Sequence, residues 1–417
     1  MTMHSTATLG HECRPEAVET TSDRVLVSIV IPTYNRGSLL KKAILSALAQ
    51  EKAGELFDLE IIVVDDCSPD QTAEVVAEFP AVRYIRLPEN RGASGARNAG
   101  IRCAKGKYVA LLDDDDEFLT HKLMVQVPIL EAHPEVGVLY GQSVVTGGDV
   151  PLLIWPDSAP SGQVFEDFLT RTDDFLHPPT WLVRRELFEA AGWFDESHRT
   201  MEHYDMALRL AALTPWLFLA GGPVAHGRFS KKGKWYSNIV NGTNEQRLTP
   251  IVERALERLP STPEAESIRR KARAAVCATV AGQRWWIAGV ASTRQYLITA
   301  LQKAPWLLTE PVIVQSLERV AGALAVESPR PEQAVKSFWV EIEEKIAGTE
   351  MNSQTDKRQL LGNLLSAAAV ALKSGSPRRA WVVAGSALLH DPSFLAHPGR
   401  VARLFKTLRQ TSHHPPC

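Results

Sequence analysis

The sequence predicts an α/β fold, a doubly wound mixed sheet, followed by an all-α C-terminal domain. Three observations predict it. Between residues 25 and 112, short apolar runs alternate with amphipathic stretches at close spacing, the pattern of strands and helices wound about one sheet. Polar clusters stand at the ends of the central runs: Pro32 to Asn35, Asp65-Asp66 and Asp113-Asp114-Asp115-Asp116. Beyond about residue 245 the strand pattern gives way to helical periodicity rich in Ala and Leu.

Residues 25–31 are continuously apolar apart from Ser28 and form the first predicted strand; Pro32 is expected to stop it. Ser38 is the expected cap of a helix with Leu39, Leu40, Ala43, Ile44, Ala47 and Leu48 on one face. Residues 59–64 lack polar alternation after Glu60, as in a strand buried on both faces of a parallel sheet. A helix over 72–79, a strand over 82–87, a helix over 93–104 and a strand over 108–112 complete the regular half. From about 138 to 230 the pattern is mixed. Strands are predicted at 136–140 and 216–220, and helices at 165–169, 185–190 and 202–213. In the helical part, Ala300-Leu301-x-x-x-Pro305 recurs as Ala387-Leu388-x-x-x-Pro392, a faint echo of a helical hairpin. Residues 350–356 are expected to form a loop and 411–417 a frayed tail. The expected domains are a disordered arm over 1–24, an α/β domain over 25–240 and a helical accessory domain over 241–417.

Hydrophobic residues at 45% and charged residues at 23% fit an ordinary globular protein. A net charge of −2 offers no basic field, so no nucleic-acid partner is expected. The five cysteines form no C-x-x-C pair, which argues against a zinc site or a disulfide framework. No apolar run reaches bilayer length, and residues 1–24 lack the apolar core of a secretory signal. A cytoplasmic location is expected, and a lipid-linked substrate would put the protein at the inner face of the membrane.

The aspartate run carries the chemistry. Four adjacent carboxylates at a strand end repel one another unless a cation neutralises them. Hard divalent ions take oxygen ligands, and Mg2+ is often held by one or two carboxylates plus substrate phosphates. In doubly wound sheets, ligands bind beyond the carboxyl ends of the strands, where all three polar clusters fall.

Four segments in order, Val27-Ser-Ile-Val-Ile-Pro-Thr-Tyr-Asn-Arg36, Ile62-Val-Val-Asp-Asp-Cys-Ser68, Asn90-Arg-Gly-Ala-Ser-Gly-Ala-Arg-Asn-Ala-Gly100 and Leu112-Asp-Asp-Asp-Asp116, resemble family 2 glycosyltransferases. Arg184-Arg-Glu-Leu-Phe-Glu-Ala-Ala-Gly-Trp-Phe-Asp-Glu196 is similar to a later family segment, and the likeness covers about residues 25–230. The resemblance implies an inverting, nucleotide-sugar-dependent enzyme with the GT-A fold, a Rossmann-like mixed sheet. It implies that Pro32 and Tyr34 lie against the nucleotide base and that Asp66 accepts a hydrogen bond from the base ring. It implies that Arg97 contacts the diphosphate or the adjacent carboxylates. Asp113 or Asp114 would face the ribose. Asp115 would hold Mn2+ or Mg2+, with Asp113 as the other half of the Asp-x-Asp signature. The run of four leaves a one-residue slip open.

Family members usually carry Glu-Asp-x-Asp at a helix start, with the second residue as general base. Here Glu202-His203-Tyr204-Asp205 stands in that place. His203 is the first candidate base, since imidazole accepts protons at neutral pH; Glu202 and Asp205 follow. His226 is a further candidate for metal or phosphate, and Lys231, Lys232 and Lys234 with Trp235 and Tyr236 for a lid. The expected donor is a UDP-sugar, with GDP- and dTDP-sugars as alternatives. The expected acceptor is a saccharide or lipid-linked glycan, and the helical domain would dock a protein partner. Two rival readings are a catalytically silent nucleotide-sugar-binding protein and a nucleotidyltransferase of the same fold. The first strand leads into Pro-Thr-Tyr-Asn-Arg, without the Gly-rich loop such nucleotidyltransferases need or the Gly-x-Gly-x-x-Gly of nicotinamide enzymes.

Overall fold

The computed structural model describes residues 24–147, 150–171, 176–228, 237–239, 241–345, 354–372, 380 and 383–384. The chain divides into two compact units. One holds the described residues up to 169 and those within 173–238 and 246–260; the other holds those within 170–172, 239–245 and 261 onward.

Among the described residues, the first unit is built on nine strands. They are β1 (Val25–Thr33), β2 (Phe57–Asp65), β3 (Val82–Arg86), β4 (Tyr108–Leu111), β5 (Glu117–Phe118), β6 (Val138–Gly147), β7 (Val150–Trp155), β8 (Leu182–Arg184) and β9 (Trp216–Arg228). The sheet order is β3-β2-β1-β4-β8-β6-β9-β5, with β7 on β6. The β3-β2-β1-β4 block is parallel, β8 runs antiparallel to both β4 and β6, and β9 returns parallel to β6. The helices that accompany them are α1 (Gly37–Leu48), α2 (Thr72–Ala77), α3 (Gly92–Cys103), α4 (Lys122–Ala132), α5 (Phe165–Thr170), α6 (Glu186–Ala190) and α7 (Glu202–Ala211).

The core follows from strand alternation. Val27, Ile29, Ile31, Ile61 and Val63 pack with Leu40, Ala43, Ile44 and Ala47 of α1 in one buried cluster. On the opposite face α3 lies close to the sheet. A Cβ at Gly100 would stand 2.4 Å from Val30 Cγ1 and 3.0 Å from Val64 Cγ2, so only glycine allows this approach.

Several expectations are corrected. Pro32 does not stop the first strand, which continues to Thr33 beside Val64 and Asp65. The β4 ladder ends at the Val30–Leu111 pair, so Pro32 lies beyond it and its missing N–H costs that ladder no bond. Ser38 does not cap α1, which already begins at Gly37; the Gly37 N–H is taken by Asp70 Oδ2 at 3.1 Å instead. The strand expected over 216–220 runs on to Arg228, held by β6. Residues 354–356, expected in a loop, begin a helix. Strands β5, β7 and β8 and helix α4 were not expected at all. The repeat at Ala387, the N-terminal arm over 1–23, residues 350–353 and the tail over 411–417 lie outside the described residues.

After β9 comes α8 (Thr243–Leu256), and the second unit is helical: α9 (Pro263–Lys303, broken at Gly289), α10 (Pro311–Glu327), α11 (Pro331–Lys345) and α12 (Gln354–Leu372). Leu297, Leu301, Ile313, Leu317, Val320, Phe338, Ile342, Leu364 and Leu365 form its core, all buried. Among the described residues, no helix is long and apolar enough to cross a membrane.

Candidate active site

The connection from β1 runs to β2 and β3 on one side, and β4 then returns to the other side of β1. This reversal opens a crevice at the carboxyl ends of β1 and β4, the usual ligand position in such sheets. Thr33 and Asp65 end adjacent strands in register, and the aspartate run leaves β4 beside them.

Each aspartate of the run meets a different set of partners. Asp113 accepts from Arg97 Nη2 at 2.6 Å. Buried Asp114 accepts from Thr33 Oγ1 at 2.8 Å and from Arg36 Nη1 at 2.9 Å. The same Arg36 nitrogen lies 2.8 Å from Asp115 Oδ2. Asp116 turns to the other side, 2.8 Å from His177 Nε2, and accepts the Arg228 N–H at 3.1 Å; His177 Nδ1 is 2.7 Å from Ser143 Oγ.

Arg97, on α3, is the hub. Its Nη1 donates to Glu202 at 2.7 Å while Nη2 holds Asp113, and its side chain is only 4% exposed. The neighbouring Asn98 exchanges two hydrogen bonds with the backbone of Phe194, at 2.8 and 2.9 Å, which pins the segment leading to α7. That helix starts after Met201, a buried residue in the left-handed region with φ 61°. Such a conformation is unfavourable for a side chain with a Cβ, and surrounding structure must hold it. Asn35 and Cys67, at the ends of β1 and β2, are left-handed as well.

Charge and burial set the protonation balance. Burial acts to raise Asp113 and Glu202, but Arg97 outweighs it and holds both below the usual carboxylate range; the charge of His203 acts in the same direction on each. His203 is therefore near both carboxylates. Burial raises Asp114 despite Arg36 and Thr33. Asp115 is pushed up to about 7 by burial and by its three carboxylate neighbours, against the pull of Arg36. Asp66 is raised by burial, although its two oxygens accept the N–H groups of Arg91 and Gly92 at 2.7 and 2.8 Å. Gly92 sits at φ +76°, which turns its N–H onto Asp66.

The sequence candidates are thus partly assembled. Tyr34 is exposed at the end of β1, Pro32 is buried in it, and Asp66 closes against the start of α3. Arg97, Asp113 and Glu202 are joined by ion pairs, and Asp114 and Asp115 by Arg36. Two candidates are engaged elsewhere. Asp205 is buried and bound by Arg209 Nε and Nη2 at 3.0 and 2.6 Å, and Arg209 in turn holds the Ala191 and Trp193 carbonyls. His226 lies in β9, opposite Glu117 of β5, with Nε2 2.6 Å from Thr146 Oγ1. The basic segment from Lys231 to Tyr236 lies outside the described residues.

The family model described as Glycosyl transferase family 2 matches residues 28–192. Over these residues the chain is similar to family 2 glycosyltransferases. The match takes in the crevice from β1 to β8 and stops before α7. Among curated relatives, the succinoglycan biosynthesis protein ExoO of Rhizobium meliloti is 34% identical over 201 residues, 46% of this chain and 56% of that protein. The chain thus spans little more than half of that relative's length. An uncharacterized glycosyltransferase of Haemophilus influenzae is 28% identical over 53% of this chain and 74% of its own length. WfaP of Escherichia coli, named as a UDP-Glc:α-D-GlcNAc-diphosphoundecaprenol β-1,3-glucosyltransferase, is 38% identical over 25% of this chain and 41% of that protein. Among solved structures, S. aureus TarS 1-349 aligns with a TM-score of 0.49 at 17% identity, over 78% of this chain and 92% of that one.

Sequence reasoning missed three residues of this crevice: Thr33, Arg36 and His177. The first two stand inside the first motif, and their signal was an arginine and a hydroxyl directly at a strand end. His177 gave no local signal beyond preceding Pro178-Pro179. Among the described residues there is no cluster of three or more His, Cys, Asp or Glu able to cage an ion. The half-buried pair Asp113 and Asp115 fits instead a cation that takes one or two carboxylates and completes its shell with phosphate and water oxygens. The Nε–H of Arg97, buried without a protein acceptor, leaves one further donor in the same place.

Proposed function

We propose that the protein is an inverting glycosyltransferase. It moves a sugar from a nucleotide-sugar donor, UDP-linked by preference, to a hydroxyl of a saccharide or lipid-linked glycan, with Mn2+ or Mg2+. The observation that carries this reading is the double ion pair of Arg97. One guanidinium joins Asp113, on the donor side, to Glu202, the residue before His203. Donor and base elements are thereby tied within one crevice. The names of WfaP and ExoO support a UDP donor, a lipid-linked acceptor and polysaccharide synthesis. A lipid-linked acceptor would bring the protein to a membrane surface.

In this reading Tyr34 stacks on the base, a contact of about 1–3 kcal/mol per base in nucleic-acid binders, and Asp66 faces the base ring. Asp113 and Asp114 hold the ribose, and Asp115 with Asp113 holds the cation. When bound, the cation neutralises charge on the departing diphosphate. His203 takes the proton of the acceptor hydroxyl, whose oxygen attacks the anomeric carbon opposite the diphosphate and so inverts it. The carboxylates of Asp113 and Glu202 stabilise the imidazolium that forms. Glu202 is a poor base because Arg97 keeps it ionised and occupied, and Asp205 is taken by Arg209.

A thermal-shift screen of UDP, GDP and dTDP with and without Mn2+ tests the donor side, because a ligand stabilises the state it binds. The expected result is a UDP shift enlarged by Mn2+; no shift with any nucleotide would end the proposal. For the base, His203→Ala should lower kcat by about 10²–10⁴ with nucleotide binding retained. His203→Asp should restore turnover and extend it to lower pH. Should wild type bind UDP and never turn over with any acceptor pool, the silent reading replaces this one.

A further inference from the structure

We propose that Arg36 is a resident counter-cation of the acidic loop, which a divalent ion must displace, so that ion capture is coupled to arrival of the donor diphosphate. The inference rests on the reading of Asp115 as a cation ligand.

One nitrogen of Arg36, Nη1, stands 2.9 Å from Asp114 Oδ1 and 2.8 Å from Asp115 Oδ2. It occupies Asp115 Oδ2, an oxygen of the carboxylate assigned to the cation. At the other ends of the run, Asp113 is neutralised by Arg97 and Asp116 is engaged by His177. Arg97 and Arg36 differ in freedom. The Arg97 side chain is 4% exposed and gripped from two sides, whereas that of Arg36 is 39% exposed and makes both contacts through one nitrogen. Arg36 is thus able to swing outward. Its backbone carbonyl accepts from Leu39 and Leu40 at the start of α1, a duty that needs no side chain.

Two cations on one Asp115 oxygen would lie within a few ångströms of each other, a repulsion that half-burial makes costly. The ion therefore binds only as the guanidinium leaves. A diphosphate offers the departing guanidinium a forked pair of oxygen acceptors, the geometry arginine binds best. Each ligand thus favours the other, and the coupling is reciprocal.

The test is Mn2+ binding, read by the loss of the free-ion electron paramagnetic resonance signal, for wild type, Arg36→Gln, Arg36→Lys and Asp115→Asn, each with and without UDP. Arg36→Gln should bind Mn2+ alone about tenfold tighter than wild type, within the usual span of site–site coupling. UDP should then add less than it adds in wild type. Arg36→Lys keeps the charge without the planar fork and should fall between the two. If Arg36→Gln folds and binds Mn2+ alone no tighter than wild type, the proposal is overturned. If Arg36→Gln does not fold, an Arg36→Lys affinity equal to or weaker than wild type overturns it. The Asp115→Asn arm separates the two levels. Loss of Mn2+ there with no gain in either Arg36 variant sinks this inference alone. Unchanged Mn2+ binding in Asp115→Asn sinks the assignment of the cation site and this inference with it.

Discussion

The two units bury different things. The α/β unit encloses Asp65, Asp66, Arg97, Asp114, Asp116, Lys122, Glu202 and Asp205, each at most 9% exposed. In the helical unit, among the described residues, the buried polar side chains are Asn244, Gln283 and Thr293, and no Asp, Glu, Lys or Arg is buried. A buried charge stays only when a partner meets it, and pairing rarely beats an apolar core of the same volume. The helical unit is therefore explained by packing alone. The charged interior of the other unit calls for a second reason, and Asp66, Arg97, Asp114, Asp116 and Glu202 gather around one crevice.

The sharpest way to break this contrast is Arg97→Ala. It strands Asp113 and Glu202 without their shared cation, and removing one member of a buried ion pair costs about 3–5 kcal/mol. Chemical denaturation should show that loss in the α/β unit, together with loss of the UDP-induced thermal shift. A stable variant that still binds UDP would mean the charges are ornamental. Leu317→Ala is the counterpart in the helical core, where Leu317 is fully buried. Cavity formation should lower stability by about 2–5 kcal/mol while UDP binding by the folded protein is retained. Weakened UDP binding in that variant would erase the division of labour.

The smallest effect concerns a charge outside the crevice. Lys122 is fully buried, bonded to Gln126 Oε1 at 2.5 Å and to the Trp181 carbonyl at 3.2 Å, and burial holds its pKa well below the ordinary lysine value. The unfolded chain then binds a proton that the folded chain lacks, up to the ordinary lysine value of about 10.4. Stability should accordingly rise with pH toward that value and fall as pH drops. Lys122→Met should flatten the rise, because the variant has no proton to give up at this position. An unaltered pH slope would show that Lys122 keeps its proton in the fold.

The sheet's parallel half was legible because its strands are continuous apolar runs between clear breaks. β5 and β8 were not, since two- and three-residue strands carry no periodicity, and α4 hides behind a buried lysine at its start and Pro128 inside it. Residue types were named as well: the aspartates from their place at a strand end, and Arg97 and the Glu202-His203 pair from the family resemblance. Their partners were not. Glu202 lies 105 positions from Arg97, and Asp115 lies 79 from Arg36, so only the folded sheet brings them into contact. Asp205 shows the converse. Its residue type suits a base, but an arginine one helical turn away captures it, and nothing in the motif distinguished the two fates.

Gly100 acts as a spacer gauge. It lies three residues after Arg97 on α3 and rests directly on Val30 and Val64, whose strands end in the crevice above. The clearance beneath that helix is less than a methyl group. Adding one would lift α3 off its seat and carry the guanidinium away from both carboxylates it bridges. Alignment of the polar rim is therefore calibrated by an apolar contact between helix and sheet.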